Sequence, residues 1–181
     1  MSIDLPADIC EGIAEVQAPF RELDGIRPTD PDQSHVTLKF LGDVEDDQLE
    51  TVKTALEEAV QAASIGPFTA SVDGIGVFPS FDYITVIWLA IETGASPMTA
   101  LHAELESRFV DLGFDAESHD FRPHVTIARM EHAGAKSAVQ ELLTSREPHV
   151  GEFEVTSLQL KESHLTPAGP DYETIEDVPL S

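Results

Sequence analysis

Two short segments of this chain place a histidine and a threonine two residues apart: His35-Val-Thr37 and His124-Val-Thr126. In an extended strand, residues i and i+2 project from the same face. Each pair therefore presents an imidazole and a hydroxyl together, while Val36 and Leu38, or Val125 and Ile127, turn to the opposite side. Polar pairs facing a core cost free energy unless hydrogen-bonded. Facing a cleft, they suit acid–base chemistry. Histidine titrates near pH ~6.5, so one imidazole can take a proton while a second gives one. Threonine hydroxyls can donate hydrogen bonds to oxygens on which negative charge builds. The bland reading is a pair of half-buried strand histidines with hydrogen bonds and no chemistry.

The tripeptide is weak on its own, because His-x-Thr occurs a third time at His164-Leu-Thr166. That copy runs straight into Pro167, which cannot donate to an interior ladder, and it is read as chance or as a loop contact. The other two share more than the tripeptide. Ser34-His-Val-Thr-Leu-Lys-Phe-Leu41 echoes Pro123-His-Val-Thr-Ile-Ala-Arg-Met130, a helical pattern follows each, and the histidines stand 89 residues apart, about half the chain. This internal echo points to two similar lobes, each contributing a central strand.

Basic residues are few, and three of the ten lie within five residues of a motif. Lys39 shares the strand face of His35 and Thr37 by simple alternation, so it could reach a phosphate or stand as a solvated lysine. Arg129 follows the second motif, but alternation turns it away from His124 unless a bulge intervenes. Arg122 and Arg27 precede strands that would enter a cleft, and either could be an ordinary surface charge. Lys39, Arg122 and Arg129 are taken as substrate-binding candidates. Phe40, Phe78, Phe81, Tyr83 and Trp88 include candidates for stacking on a base, most of them expected to be core. His102, His119, His132 and His149 share no metal-ligand spacing, and no His-Glu-x-x-His segment occurs, so neither a metal nor an organic cofactor is expected.

The elements that must position these residues follow from pattern. Helices are expected over Ala7–Ala18, ended by Pro19, over Glu45–Ala63, over Pro97–Leu112 with Ser96 as cap, and over Ala135–Ser145. Strands are expected over Val36–Leu41, Phe68–Val77, Tyr83–Glu92, Val125–Met130 and Phe153–Leu160, with Pro79–Asp82 as a hairpin connection. Leu165–Tyr172 reads as a loop leading into a short last strand.

At 181 residues and 41% hydrophobic, the chain fits one domain over 1–181. Neither a signal peptide nor an apolar run of roughly 20 residues is visible. The single cysteine, Cys10, rules out an internal disulfide and suits a reducing cytoplasm. The net charge of -24 is dispersed along the chain. It fits a protein that repels nucleic acid or joins a basic partner, and it fits adaptation to molar salt. The dispersion favours the halophilic reading.

The chain resembles the two-histidine phosphoesterases, specifically the bacterial and archaeal RNA 2′,3′-cyclic phosphodiesterases once described as 2′-5′ RNA ligases. The resemblance rests on Ser2-Ile-Asp-Leu-Pro6, His35 through Gly42, Gly74-Ile-Gly-Val-Phe-Pro79, Val86-Ile-Trp88, Leu112-Gly-Phe114, Pro123 through Arg129, and Leu158 through Tyr172 with Ser163, Leu165, Gly169 and Pro170. It implies an α+β, bilobal fold: two antiparallel sheets around a central cleft, helices on the outer faces, and a pseudo-two-fold. It implies His35 and Thr37 facing His124 and Thr126 across that cleft, with RNA ends carrying a 2′,3′-cyclic phosphate as partner; no membrane is expected, and no obligate protein partner is inferred. It assigns His35 as proton donor and His124 as acceptor, although both motifs read His-Val-Thr and the residues themselves leave the roles open. Rival readings are an enzyme for other cyclic nucleotides or for 2′-5′ linkages, and a catalytically idle RNA-end-binding module. The family opens with a fuller first strand than the Met1-Ser2 that precedes Ile3 here, so either the start lies further upstream or the first strand is short.

Overall fold

Helical segments form where apolar residues recur every three to four positions, and each buries the stripe so made. In the structure, a computed structural model describing residues 1–166 and 169–181, α2 (Leu49–Ala63) buries Val52, Ala55, Leu56, Ala59 and Val60. Likewise α3 (Ala95–Asp111) buries Met98, Leu101, His102, Leu105 and Phe109. The first helix, α1 (Ala7–Arg21), runs past Pro19 because Phe20 is completely buried and holds the last turn in place. The hydrogen bond that Pro19 cannot donate would go to Glu15, which is exposed to water. The fourth helix, α4 (Lys136–Ser145), holds Val139 in the core. Among the described residues no helix is long and apolar enough to cross a membrane.

Helix starts differ from expectation. A 3-10 turn over Asp46–Gln48, closed by a Glu45/Gln48 capping box, precedes α2, and Gly94 rather than Ser96 stands at the start of α3.

Among the described residues, nine antiparallel strands make up the sheet: β1 (Ser2–Asp4), β2 (Ile26–Pro28), β3 (His35–Thr37), β4 (Phe68–Ser80), β5 (Tyr83–Ile91), β6 (His124–Met130), β7 (His149–Val155), β8 (Ser157–Thr166) and β9 (Gly169–Pro179). Their order is β7-β4-β5-β6-β3-β1-β8-β9, with β2 paired to β6. The two expected sheets are thus joined. The β3–β6 seam holds a single registered pair, Val36 with Val125, so the halves meet there and form one continuous sheet. The half containing β4 to β7 packs on α1, while β8 and β9 of the other half pack on α2, which in turn packs on α3. Chain order crosses between halves, since β1 lies in one half and the helix after it packs on the other.

Three strand expectations are corrected. The strand expected over Val36–Leu41 ends at Thr37, because the N–H groups of Leu38 and Lys39 turn to the carbonyl of Met1 (2.9 and 3.3 Å). The strand expected over Phe153–Leu160 is two, β7 and β8, separated at Thr156 where the chain passes from one half to the other. The loop expected over Leu165–Tyr172 is in its described part the end of a long β8–β9 hairpin, registered from Ser157↔Pro179 to Thr166↔Gly169; Pro167 and Ala168 lie outside the described residues.

Candidate active site

The register of the seam sets the site. With Val36 opposite Val125 in antiparallel strands, the next residues on either side place His35 across from Thr126 and Thr37 across from His124. Val36 and Val125 are fully buried, so by the pleat the two His–Thr pairs share the other face. All four side chains line one cleft of about 290 Å³. A larger, shallower hollow of about 650 Å³ lies between α2 and α3. Its lining includes Glu50, Glu58, Glu104 and Asp111, a poor environment for a phosphate.

Both imidazoles are held in the same way. His35 Nδ1 lies 3.0 Å from the carbonyl oxygen of Gln33, and His124 Nδ1 lies 2.7 Å from that of Arg122. A carbonyl can only accept, so each Nδ1 carries the proton and each neutral ring keeps its lone pair on Nε2. Burial pulls the pKa of both below the ordinary histidine value, and the backbone bond opposes the shift in each. Lys161 adds to the lowering at His35, and Arg122 adds to it at His124.

Each ring also has an aromatic edge contact. Tyr172 meets His35 at a centroid distance of 4.7 Å, and Phe78 meets His124 at 5.0 Å, both T-shaped. Phe78 in turn stacks on Trp88 at 4.9 Å. The indole crosses the backbone of Gly76, where a Cβ would stand 2.3 Å from the ring. Glycine is therefore required for this wall to form. Of the other aromatic candidates, Phe40, Phe81 and Tyr83 are exposed and make no ring contact with either histidine.

Support comes from behind β6. Gln17 is fully buried and its Nε2 donates to the carbonyls of Ile127 (2.8 Å) and Thr29 (3.0 Å). Thr29 Oγ1 donates to the carbonyl of Thr126 (3.0 Å). On the other lip, the Tyr172 N–H donates to Gln33 Oε1 (3.1 Å), so the residue that orients His35 also anchors the β8–β9 hairpin.

The basic candidates separate. Arg129 lines the cleft. The bulge that alternation demanded is present: Ile87 pairs with Ala128 and Trp88 with Thr126, which leaves Ile127 as the extra residue and returns Arg129 to the cleft face. Lys39 is not in the cleft. Its ammonium is buried against Glu106 Oε2 (2.6 Å) and the carbonyl of Asp115 (3.1 Å), because the strand ended two residues earlier. Arg122 places its guanidinium over the Trp88 ring, 5.6 Å from the centroid, and meets His124 through its carbonyl. Arg27, weighed in the sequence only as a neighbour, lines the cleft opposite Arg129. Gln33 and Tyr172 gave no sequence signal beyond Tyr172's place in the resembling C-terminal segment. His164 stands on β8 near Glu162 (3.7 Å) and Glu173 (3.8 Å), outside the cleft lining.

Among the described residues no group of three or more His, Cys, Asp or Glu side chains is placed to hold a metal ion. Two histidines, each with its Nε2 lone pair unused by the backbone bond, two threonines and two arginines line this one cleft. Such a set can bind a tetrahedral anion and move protons on both sides of it.

The model of the 2'-5' RNA ligase superfamily matches residues 5–166. The RNA 2',3'-cyclic phosphodiesterase of Methanothermobacter thermautotrophicus is 32% identical over 178 residues, covering 97% of this chain and 95% of that protein. The protein of the same name from Methanocaldococcus jannaschii is 32% identical over 178 residues, covering 98% and 97%. TT0787 of Thermus thermophilus superposes with a TM-score of 0.80 at 27% identity, covering 99% of this chain and 95% of that one. The E. coli LigT structure complexed with 3'-AMP gives 0.80 at 24% identity with the same coverage, a likeness of fold alone.

Proposed function

The chain belongs to the 2'-5' RNA ligase superfamily, and from that premise we propose that it hydrolyses RNA 2′,3′-cyclic phosphate ends to 2′-phosphomonoesters. The observation that carries the reading is the matched pair of imidazoles, each locked by a backbone carbonyl with Nε2 left for chemistry. The relatives named RNA 2',3'-cyclic phosphodiesterase support the substrate class.

In this mechanism Thr37, Thr126 and Arg129 bind the non-bridging oxygens of the cyclic phosphate. His124 Nε2 takes a proton from water as its oxygen forms a bond to phosphorus. The P–O3′ bond breaks in line, and His35, entering as the imidazolium, gives its Nε2 proton to the departing 3′-oxygen. Attacking and leaving oxygens lie on opposite sides of phosphorus, so the acid and the base must come from separate strands. The seam between β3 and β6 places one histidine on each. A monoanionic, strained diester reacts by acid–base transfer and hydrogen-bond donation alone in this scheme.

Phosphorus NMR of a dinucleotide 2′,3′-cyclic phosphate incubated with the enzyme in excess EDTA tests it. The expected product is the 2′-phosphate, formed at the same rate with and without chelator. No turnover, or turnover that chelation abolishes and one divalent metal restores, overturns the proposal. A 3′-phosphate product would exchange the roles of His35 and His124.

A further inference from the structure

The cleft holds one more cation than its cyclic phosphate needs. Arg27 on β2 and Arg129 on β6 are registered partners in adjacent antiparallel strands, and both line the cleft. Like charges directly opposite each other on one sheet face are destabilising. Yet among the described residues neither guanidinium has a carboxylate within ion-pair range, although acidic residues outnumber basic ones 34 to 10. Of the other basic residues, Lys39, Lys53, Arg108 and Lys161 have such partners, and among the described residues Arg21, Arg122, Lys136 and Arg146 have none. What sets Arg27 and Arg129 apart is that they are registered like charges lining one cleft, whose described lining carries one carboxylate, Asp30, so an anion bound between or beside them would offset their repulsion.

One cyclic phosphodiester brings one negative charge, and in the proposed mechanism the Arg129 guanidinium, the His35 imidazolium and the two threonine hydroxyls already meet it. The Arg27 guanidinium also reaches the opposite lip of the cleft, since a Cβ on Gly169 would stand 3.6 Å from Nη2. Arg27 therefore sits at the far end of the cleft, along β6 from His124, bounded by the β8–β9 hairpin. An oligonucleotide with its cyclic end at His124 and its preceding nucleotide running along β6 toward the hairpin would bring its next phosphate to Arg27.

We infer that Arg27 binds the phosphodiester immediately upstream of the cyclic end, so that the enzyme selects an oligonucleotide end over a free cyclic mononucleotide. The inference rests on the proposed hydrolysis and adds a second phosphate subsite to it. A charge-assisted hydrogen bond of this kind corresponds to about tenfold in kcat/KM.

The test compares three substrates with wild type and R27Q: a nucleoside 2′,3′-cyclic phosphate, the dinucleotide 2′,3′-cyclic phosphate, and the same dinucleotide with a neutral methylphosphonate linkage. Wild type is expected to favour the charged dinucleotide over the other two by about tenfold. In R27Q the ratio of charged to neutral dinucleotide is expected to collapse toward one, and R27K to restore part of it. Arg27 is exposed, so loss of folding does not obscure the result. If R27Q lowers all three substrates equally, Arg27 serves the cyclic phosphate itself and the inference fails. A wild type indifferent to the linkage charge also overturns it. Absence of turnover on every substrate would instead strike at the hydrolytic reading.

Discussion

Arg122 acts on His124 twice: its carbonyl oxygen holds the Nδ1 proton at 2.7 Å, and its positive charge helps keep the imidazole from protonating. The second effect is subordinate to burial, which is the larger cause of the lowered pKa. It is nonetheless the part that a side-chain substitution can remove while leaving the backbone bond in place.

This gives a pH prediction with a sign. His35 and His124 both have pKa values below the ordinary value, so, if they are the acid and the base as proposed, the bell-shaped profile of kcat/KM in the free enzyme is expected to peak below about pH 6.5. In R122Q the imidazolium of His124 loses a repulsive neighbour, so its pKa rises. If His124 is the base, it must be neutral to act, and the acidic limb moves to higher pH while the alkaline limb stays. Movement of the alkaline limb instead would make His124 the acid.

The second prediction concerns Lys39, whose ammonium is paired with Glu106 while Glu106 also accepts the Glu117 N–H at 2.7 Å. Removing one partner of a buried pair leaves a charge uncompensated, at a cost of about 3–5 kcal/mol. Glu106 keeps 22% of its side chain exposed, which softens that figure to about 2–3 kcal/mol. Denaturant titration of K39M should show this loss, with kcat per folded molecule changed less than about threefold. A large fall in kcat at unchanged stability would return Lys39 to the cleft.

Salt dependence forms the third. A net charge of -24 repels itself over a Debye length of about 10 Å in 0.1 M salt and only about 3 Å in 1 M. The melting temperature in molar potassium chloride is expected to exceed that in dilute buffer by about 5 °C or more, a stabilisation of roughly 2 kcal/mol. A melting temperature that ignores salt would remove the halophilic reading.

The site was legible where its causes are local. The pleat alone puts His35 with Thr37 and His124 with Thr126, and the structure brings both pairs to one cleft. Lys39 was misplaced because alternation holds only while the strand lasts, and the strand ends where Leu38 and Lys39 turn to Met1. Arg129 needed a bulge that no single-strand pattern encodes, since the extra residue is defined by the register with β5. Tyr172 reaches His35 through a hairpin that folds back over 130 residues of chain, and sequence spacing carries no trace of that contact. The joined sheet was hidden for a related reason: one residue pair, Val36 with Val125, decides between two sheets and one.

The central claim is that two particular histidines, and not the third copy of the motif, carry the reaction. Single-turnover rates on a dinucleotide 2′,3′-cyclic phosphate for H35A, H124A and H164A, each checked for an unchanged thermal transition, test it most directly. H35A and H124A are each expected to slow the chemical step by at least about 10², and H164A to match wild type. Comparable losses in all three variants, or wild-type rates in either H35A or H124A, would contradict the account.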